Sequence, residues 1–267
     1  DPQRQAGKRL RPRLCISVAQ ALGQPAESAF LPAALLEIIH NYTLIHDDVE
    51  DNGEFRHGRP ALWKAFGLAQ AVNTGDYLLS HALVCNQVPP IPYAAVWDEV
   101  SREIILDAAK AVVVGQFRDI SFTTSPTITQ DQYLGMIALK TGALFSAAFT
   151  SGAHAAGAEN LPDWSELGTE FGVCYQQIDD YLGIWGDPAQ TGKSASSDLI
   201  QHKQSLPVIL GLEKSPRFRK LYSLSLPITE PEAKDLADIL AEDGVQTDVK
   251  EKIVHKRKRL LMKLQDN

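Results

Sequence analysis

Two clusters of aspartate residues have the residue types and the spacing that bind metal ions. The first reads Asp47-Asp48-x-x-Asp51, and the second begins with Asp179-Asp180. Residues four apart share one face of a helix, so the first cluster places two carboxylates one turn apart. Neighbouring carboxylates repel each other unless a cation lies between them, and oxygen ligands of this kind suit Mg²⁺. The two clusters therefore predict a site that holds a diphosphate through bridging Mg²⁺ ions.

The first cluster lies at the end of a predicted helix that stops before Asn52. At about 100° per residue, His40, Asp47 and Asp51 fall within a narrow arc of this helix, and Tyr42 lies in the adjoining arc. A solvated helix end is the simplest alternative explanation. Acidic residues at a helix C-terminus oppose the helix dipole, at a cost of ~0.3–1 kcal/mol each, so a compensating cation is indicated.

Composition limits the classes to which this chain can belong. Its 267 residues, 44% of them hydrophobic, suffice for one large domain over residues 1–267. The net charge of −7 disfavours nucleic acid as a partner. Cys15, Cys85 and Cys174 are odd in number and lack metal-ligand spacing, so we expect a cytoplasmic location. The uncharged stretch 141–158 is too weakly apolar to span a membrane, so no transmembrane segment is expected.

Helical periodicity dominates the chain, and no run of residues alternates as a surface strand does. Besides the helix that carries the first cluster, we expect helices over residues 61–86, 94–122, 129–157, 163–185, 203–222, 230–242 and 245–265. Neither a linker nor a sequence repeat divides the chain. The pattern therefore predicts an all-α protein, a single large helical bundle.

Further motifs accompany the aspartate clusters in a fixed order. They are Gly7-Lys8-Arg9-Leu10-Arg11-Pro12, Arg56-x-Gly58-x-Pro60 with Trp63, Asn73-Thr74-Gly75-Asp76, Gly115-Gln116-x-x-Asp119, Lys140-Thr141-Gly142-Ala143-Leu144-Phe145 and Lys203-x-Ser205-Leu206-Pro207. One DDxxD sequence alone is weak evidence, but the ordered set is specific. It resembles the trans-isoprenyl diphosphate synthase (polyprenyl synthetase) family, and most of all its short-chain geranylgeranyl and farnesyl diphosphate synthases.

This resemblance implies a fold and a reaction. The fold is the isoprenoid synthase type I fold, an all-α bundle around a central cavity, usually a homodimer. The reaction joins an allylic diphosphate to isopentenyl diphosphate, head to tail and in trans. Metal ions, three Mg²⁺ by this resemblance, assist ionisation, and diphosphate is released. Geranylgeranyl diphosphate is the expected product, with farnesyl diphosphate as the alternative.

The resemblance also implies roles for single residues. Asp47 and Asp51 would ligate two metal ions and Asp179 a third, with Asp48 and Asp180 in support. The residues that match the allylic diphosphate site are Arg56, Lys140, Lys193 and Lys203. Those that match the pocket for isopentenyl diphosphate, which binds without metal, are Lys8, Arg11 and His40, with His57 beside them. The groups whose oxygens would stabilise the carbocation are Thr141 and Gln176.

Product length is expected to depend on Tyr42. In the family, bulky residues just before the first cluster close the bottom of the substrate tunnel. Tyr42 is the fifth residue before the cluster and Thr43 the fourth, which resembles the geranylgeranyl-forming enzymes. A purely structural role as a core aromatic is the alternative for Tyr42.

Three features depart from the family pattern. Gly183 stands where the second cluster usually has its third aspartate, and Asp187 is a candidate to serve there through water. His57 replaces the usual second arginine beside Arg56, which exchanges a permanent cation for a titratable one. The chain also opens almost at its first motif, so we expect that the first helix and the extreme C-terminus of a complete synthase are missing.

Two other functions deserve comparison with a prenyltransferase. A class I terpene cyclase would share the fold and the first cluster, but it predicts an Asn/Asp-Ser/Thr-Glu metal triad where Asp179-Asp180 stands. A non-catalytic partner subunit of a synthase is suggested by Gly183 and His57. The residues that are retained argue against this second alternative; they are Asp47, Asp51, Asp179, Lys140 and Lys203.

Overall fold

The structure, a computed structural model, describes residues 7–84, 98–123, 125, 127–187, 196–223 and 227–266. Cys85 and Lys193 lie outside the described residues. The chain divides into two compact units. Unit 1 comprises residues up to Val112 together with Ala143–Thr169, and unit 2 comprises Val113–Gly142 with Glu170–Asn267. The single domain expected over residues 1–267 stays a prediction.

Helices dominate the described residues, so the predicted all-α class is confirmed. The helices are α1 (Leu10–Ala21), α2 (Phe30–Glu50), α3 (Leu62–Phe66), α4 (Leu68–Val84), α5 (Glu99–Thr123), α6 (Gln130–Ile137), α7 (Ala143–Ala155), α8 (Leu161–Trp185), α9 (Ser197–Ile200), α10 (Leu206–Lys214), α11 (Pro216–Tyr222), α12 (Glu230–Glu242) and α13 (Val245–Asp266). A 3₁₀ turn, Ala26–Ala29, precedes α2, and a π-helical turn, Ala138–Gly142, joins α6 to α7.

Most expected helices are present; a π-helical turn interrupts the segment expected as 129–157, and two others are split by non-helical residues. The segment expected as 61–86 breaks at Gly67, whose φ of 91° lies in the left-handed region. The segment expected as 203–222 begins with a short loop and then contains α10 and α11. Ser215 separates these two helices and caps α11, since its Oγ accepts a hydrogen bond from the amide of Phe218 at 2.9 Å.

Two elements were not predicted. Helix α1 begins inside the first basic motif, where charged residues conceal the apolar periodicity. A small antiparallel hairpin pairs β1 (Phe55–Arg56) with β2 (Arg59–Pro60). Its turn residues, His57 and Gly58, have φ values of 52° and 72°, as a two-residue hairpin turn of type I′ requires. The sequence pattern gave no signal of this hairpin, because its strands contain only two residues each.

Unit 1 packs around helix α2. Leu36, Ile39 and Tyr42 of α2 are buried in its core, and α2 contacts α1, α4 and α7. A Cβ at Gly75 of α4 would lie 2.1 Å from Nε2 of His46, so only glycine permits this close approach of the two helices. Part of the Asn73–Asp76 motif thus serves helix packing and fixes the end of α2.

Unit 2 packs the C-terminal helices around the second half of α8. Its core includes Tyr133, Leu206 and Phe218, each at most 2% exposed. A Cβ at Gly115 of α5 would lie 2.2 Å from the amide nitrogen of Lys140, so this glycine admits the π-helical turn beside α5. The packing holds the π-helical turn, α8 and the start of α10 together within one unit.

Two helical stretches among the described residues are long and apolar enough to cross a membrane, judged by length and composition alone. They are Ala26–Glu50, of whose most apolar window 39% is buried, and Gln130–Ala155, of whose window 61% is buried. Core helices of soluble proteins pass the same test, so this is weak evidence for a membrane span. The expectation of no transmembrane segment stays a prediction.

Candidate active site

The first aspartate cluster contains one buried carboxylate that binds an arginine. Asp48 is 6% exposed, and Arg56 from the hairpin donates to it from two nitrogens. Its Nε lies 3.1 Å and 3.2 Å from the two carboxylate oxygens, and its Nη2 lies 2.5 Å from Oδ1. Such a two-pronged contact fixes both groups, because the guanidinium and the carboxylate are planar. Arg56 was predicted to contact the allylic diphosphate, and that role stays a prediction.

The other two carboxylates of this cluster are more exposed than Asp48. Asp47 is partly exposed, and Asp51, directly after α2, is exposed. They stand about one helical turn apart, a rise of roughly 6 Å. Within the part of the chain that the structure describes, no group of three or more His, Cys, Asp or Glu side chains is arranged to hold a metal ion. A metal ion here therefore needs ligands from elsewhere, and Mg²⁺ commonly binds through one or two carboxylates plus substrate phosphates.

A basic cluster in unit 1 surrounds a half-buried histidine, His40. Nη1 of Arg11 lies 3.0 Å from Nε2 of His40, and its guanidinium lies 4.6 Å above the ring of Phe145. Burial, and then the charges of Arg11, Arg56 and His57, lower the pKa of His40 to about 3. His40 is therefore neutral near pH 7 and accepts a hydrogen bond from Arg11.

The basic cluster brings together most residues predicted for the isopentenyl diphosphate pocket. His57 is exposed and lies close to the first motif, since its Nε2 is 3.7 Å from the position of a Cβ at Gly7. Lys8 is exposed and precedes α1. The structure thus groups His40, Arg11 and His57 within unit 1, where the positive charge of Arg11 favours an anionic ligand.

The second aspartate cluster also contains one buried carboxylate, but its partners are neutral. Asp180 is 5% exposed and accepts hydrogen bonds from the hydroxyl of Tyr133 at 2.6 Å, from the amide nitrogen of Leu206 at 3.0 Å and from Nε2 of Gln176 at 2.8 Å. Burial raises the pKa of Asp180, and the neighbouring Asp179 raises it further, while these three hydrogen bonds lower it in part. Asp179 itself is exposed.

A chain of hydrogen bonds connects the π-helical turn to this buried carboxylate. Oγ1 of Thr141 donates to Oε1 of Gln176 at 2.6 Å, and Gln176 donates in turn to Asp180. The two groups predicted to stabilise a carbocation therefore contact each other and are held by Asp180. Buried networks in which each group has its partner fix side-chain orientation.

The basic residues predicted for the allylic diphosphate differ in their surroundings. Nζ of Lys140 lies 2.5 Å from Oδ2 of Asp119, and both side chains are about one quarter exposed. Lys203 is half-buried in the segment that joins α9 to α10. Lys193 falls outside the described residues, so its predicted role stays a prediction.

Two contributors were missed as site residues. Asp119 belongs to the motif that starts at Gly115. It lies four residues after that glycine, which indicated a shared helix face, but no pattern indicated its partner Lys140. Tyr133 is 47 residues from Asp180, and no local pattern connects the two. Such contacts are visible only in the folded structure.

A cavity of about 740 Å³ lies in unit 2. It is lined by residues of α6, α8, α10 and α13, among them Gln177, Leu206 and Lys256. None of the predicted site residues that the structure describes lines it, so we do not assign the site chemistry to this cavity.

Comparison with known proteins identifies the family. The model of the polyprenyl synthetase family matches residues 3–242, and the chain therefore belongs to this family. The chain is 35% identical over 209 residues to a geranylgeranyl diphosphate synthase of Mycobacterium tuberculosis, covering 78% of this chain and 59% of the relative. It is 36% identical over 206 residues to a (2E,6E)-farnesyl diphosphate synthase of Mycobacterium bovis, covering 76% and 56%. The chain thus spans less than three fifths of the length of these curated relatives.

Solved structures show the same fold. A polyprenyl synthetase from Streptomyces coelicolor A3(2) is similar with a TM-score of 0.87 and 29% identity, over 99% of this chain and 81% of that one. A polyprenyl synthase from Caulobacter crescentus CB15, complexed with calcium and isoprenyl diphosphate, has a TM-score of 0.87 and 26% identity, over 97% and 79%. The chain has the all-helical isoprenoid synthase fold, as the resemblance implied.

Proposed function

We propose that this chain is a prenyltransferase that condenses an allylic diphosphate with isopentenyl diphosphate and releases diphosphate. Family membership supports this reaction, and so do relatives named as geranylgeranyl and farnesyl diphosphate synthases. The observation that carries the proposal is common to both aspartate clusters. In each, one carboxylate is buried and bound by the protein, while Asp47 is partly exposed and Asp51 and Asp179 are exposed.

The solvent-facing carboxylates suit a divalent cation that also binds diphosphate oxygens. Too few acidic side chains converge among the described residues to enclose an ion by themselves, which favours an ion shared with substrate. Bound Mg²⁺ would neutralise the charge that develops on the leaving diphosphate. The similar Caulobacter crescentus synthase is complexed with calcium and isoprenyl diphosphate, which supports this assignment. Three Mg²⁺ ions, two at Asp47 and Asp51 and one at Asp179, remain our proposal.

Residues of this chain orient the reacting groups. The contact with Asp48 fixes Arg56 beside the first cluster, and the contact with Asp119 fixes Lys140 on the π-helical turn. Fixed cations stabilise a developing negative charge without reorganisation. The oxygens of Thr141 and Gln176, held by their mutual hydrogen bond, are positioned to stabilise an allylic carbocation.

The basic cluster of Arg11, His40 and His57 is proposed to hold isopentenyl diphosphate. Because His40 is neutral, it orients Arg11 without adding charge of its own. Arg11 is further fixed against Phe145, so its planar guanidinium keeps one direction. A fixed second substrate reduces the entropic cost of bringing the alkene to the carbocation.

Geranylgeranyl diphosphate is the proposed product, and farnesyl diphosphate the alternative. Tyr42 supports a short product, because it is 4% exposed and is held edge-to-face against His46 at 5.3 Å. A rigid aromatic at this point of α2 is suited to limit a growing apolar chain.

A homodimer is also proposed. Val113, Phe117 and Ile120 of α5 are 51%, 71% and 44% exposed and follow one another at helical spacing. Grouped exposed apolar side chains mark interaction surfaces. We expect Phe117→Asp to shift sedimentation from dimer to monomer, while Val254→Asp, at an exposed site on α13, leaves it unchanged. A cytoplasmic location is proposed from the cysteine pattern alone.

Turnover by the purified chain tests the reaction. The chain is incubated with isopentenyl diphosphate and five-, ten- or fifteen-carbon allylic diphosphates, with and without Mg²⁺, and the products are sized. Mg²⁺-dependent elongation ending at twenty carbons is expected. Cyclised hydrocarbons would indicate a terpene cyclase, and no turnover by the chain alone would favour a partner subunit.

A further inference from the structure

The cavity in unit 2 has the size of a binding site for a small organic molecule. Its volume is about 740 Å³, and sites of this kind usually measure roughly 300–1,000 Å³. Helices α6, α8, α10 and α13 supply its walls, and none of the described aspartates of the two clusters lines it. The proposed prenyl transfer therefore leaves this cavity without a role.

Helix α13 gives the cavity an excess of positive charge. Five lysine and arginine residues line the cavity, against the two glutamates Glu170 and Glu251. The five are Lys250, Lys252, Lys256, Lys258 and Arg259. This excess of three positive charges contrasts with the net charge of −7 of the whole chain. It favours a ligand with more than one negative charge, and a phosphate ester carries about −1.5 to −2 near pH 7.

Lys256 is a half-buried cation of this wall. Glu170 binds a different lysine, since its Oε1 lies 2.7 Å from Nζ of Lys263. Lys256 itself makes no ion pair or hydrogen bond within the described part of the chain. Burial lowers the pKa of Lys256, Glu170 raises it in part, and Arg259 lowers it again. An anion bound by both Lys256 and Arg259 would offset the burial of the first and the repulsion between the two.

The cavity is also lined by a buried amide that lacks one hydrogen bond. Gln177 of α8 is 4% exposed, and its Oε1 has no hydrogen-bond partner among the described residues. A buried oxygen in this state is unfavourable, because it has lost its hydrogen bonds with water. A hydroxyl or amino group of a ligand would supply the missing donor. The side chains of Leu134, Leu206 and Val254 line the same cavity and suit the carbon skeleton of such a ligand.

We propose that the cavity in unit 2 binds a phosphate ester whose organic part carries a hydroxyl or amino group. The phosphate binds Lys256 and Arg259, and the planar guanidinium of arginine matches phosphate oxygens. The organic part packs on the apolar side chains of the wall and donates a hydrogen bond to Gln177. Inorganic phosphate alone would leave most of the volume unfilled. This binding requires no metal ion, unlike that of the diphosphate at the aspartate clusters.

Calorimetric titration of the full chain without Mg²⁺ tests the inference. The probes that carry donor groups are AMP and glucose 6-phosphate, and the probe that carries none outside its phosphate is hexyl phosphate. We expect at least one donor-bearing ester to bind about tenfold more tightly than inorganic phosphate, the usual effect of one further well-made contact. Adenosine and glucose, which lack the phosphate, should not bind.

Two substitutions examine the two ends of the ligand. Lys256→Gln should weaken the binding of every ester about tenfold, because one charge-assisted hydrogen bond is lost. Lys220→Gln, at an exposed lysine of α11 outside the cavity, is the matched control and should leave binding unchanged. Gln177→Leu removes the buried oxygen at similar volume. It should weaken the donor-bearing ester and leave hexyl phosphate unaffected.

Far-UV circular dichroism and thermal unfolding show whether each variant folds. If Lys256→Gln is unfolded, Arg259→Gln, at an exposed position, takes its place and should give the same loss. Arg11→Gln, in the basic cluster of unit 1, should leave the binding of the esters unchanged. Binding of neither donor-bearing ester more tightly than inorganic phosphate would overturn the inference. An equal loss in Lys220→Gln, or a loss only in Arg11→Gln, would also overturn it.

Discussion

The two aspartate clusters bury one carboxylate each, and they do so by opposite means. Asp48 binds the positive charge of Arg56, whereas Asp180 binds neutral donors, the closest of them the hydroxyl of Tyr133. The first arrangement is local, since only eight residues separate Asp48 from Arg56. The second joins segments that are far apart in sequence. The comparison teaches that one motif type can be positioned either by a neighbouring cation or by the packing of a whole unit.

Loss of a solvent-facing carboxylate should have the largest effect. We expect Asp47→Ala to lower turnover by orders of magnitude, because it removes a proposed metal ligand. Thermal unfolding should stay close to wild type, since Asp47 is only partly buried. Glu50→Ala, at an exposed acid of the same helix, serves as the control. Near-normal turnover in Asp47→Ala would refute the role of this residue.

Removal of the buried carboxylate should destabilise the protein more in the second cluster than in the first. Asp180→Ala leaves three donors without an acceptor and should cost about 3 kcal/mol or more. Asp48→Ala should cost only about 1 kcal/mol, because the side chain of Arg56 is 39% exposed and regains water. Urea unfolding of both variants measures the difference. Equal losses would mean that the two carboxylates are held in energetically similar ways.

The half-buried His40 of unit 1 should make the stability of the protein depend on pH, unlike either buried carboxylate. The unfolded chain protonates His40 below a pKa of 6.5, whereas the folded chain does so only near 3. As pH falls through this window, only the unfolded state takes up the proton, so the free energy of unfolding decreases. Between pH 7 and pH 5 we expect wild type to lose about 2 kcal/mol relative to His40→Gln, which does not titrate.

Chemical denaturation of both proteins at pH 7 and pH 5 measures this effect. Glutamine still offers an oxygen to Arg11, so the comparison isolates the proton. A constant difference between the two proteins at both pH values would show that His40 titrates normally in the folded state.

The smallest expected effect concerns product length. Tyr42→Ala should lengthen the products by one or more five-carbon units while turnover remains measurable, since the buried ring lies just before the first cluster. Tyr42→Phe, which keeps the ring, is the control. Sizing of the extracted products checks this prediction. An unchanged distribution of product lengths would mean that another side chain limits the length of the product.

Local patterns in the sequence predicted the features that depend on nearby residues. Helix periodicity located α2 and its terminal aspartates, and the family motifs grouped Arg11 with His40. The breaks at Gly67 and Ser215 were missed, because glycine and proline stop a helix only in certain conformations. The contact of Tyr133 with Asp180 had no local signal. The contact of the Asp198 carboxylate with Gly183 likewise had no local signal.

The central claim is that both clusters hold the same diphosphate through metal ions. Titration of the chain with inorganic diphosphate and Mg²⁺, compared with Asp47→Asn and Asp179→Asn, tests it most directly. We predict one Mg²⁺-dependent binding event per chain, weakened at least tenfold by either substitution. Two independent Mg²⁺-dependent events, each lost with only one of the substitutions, would contradict the claim.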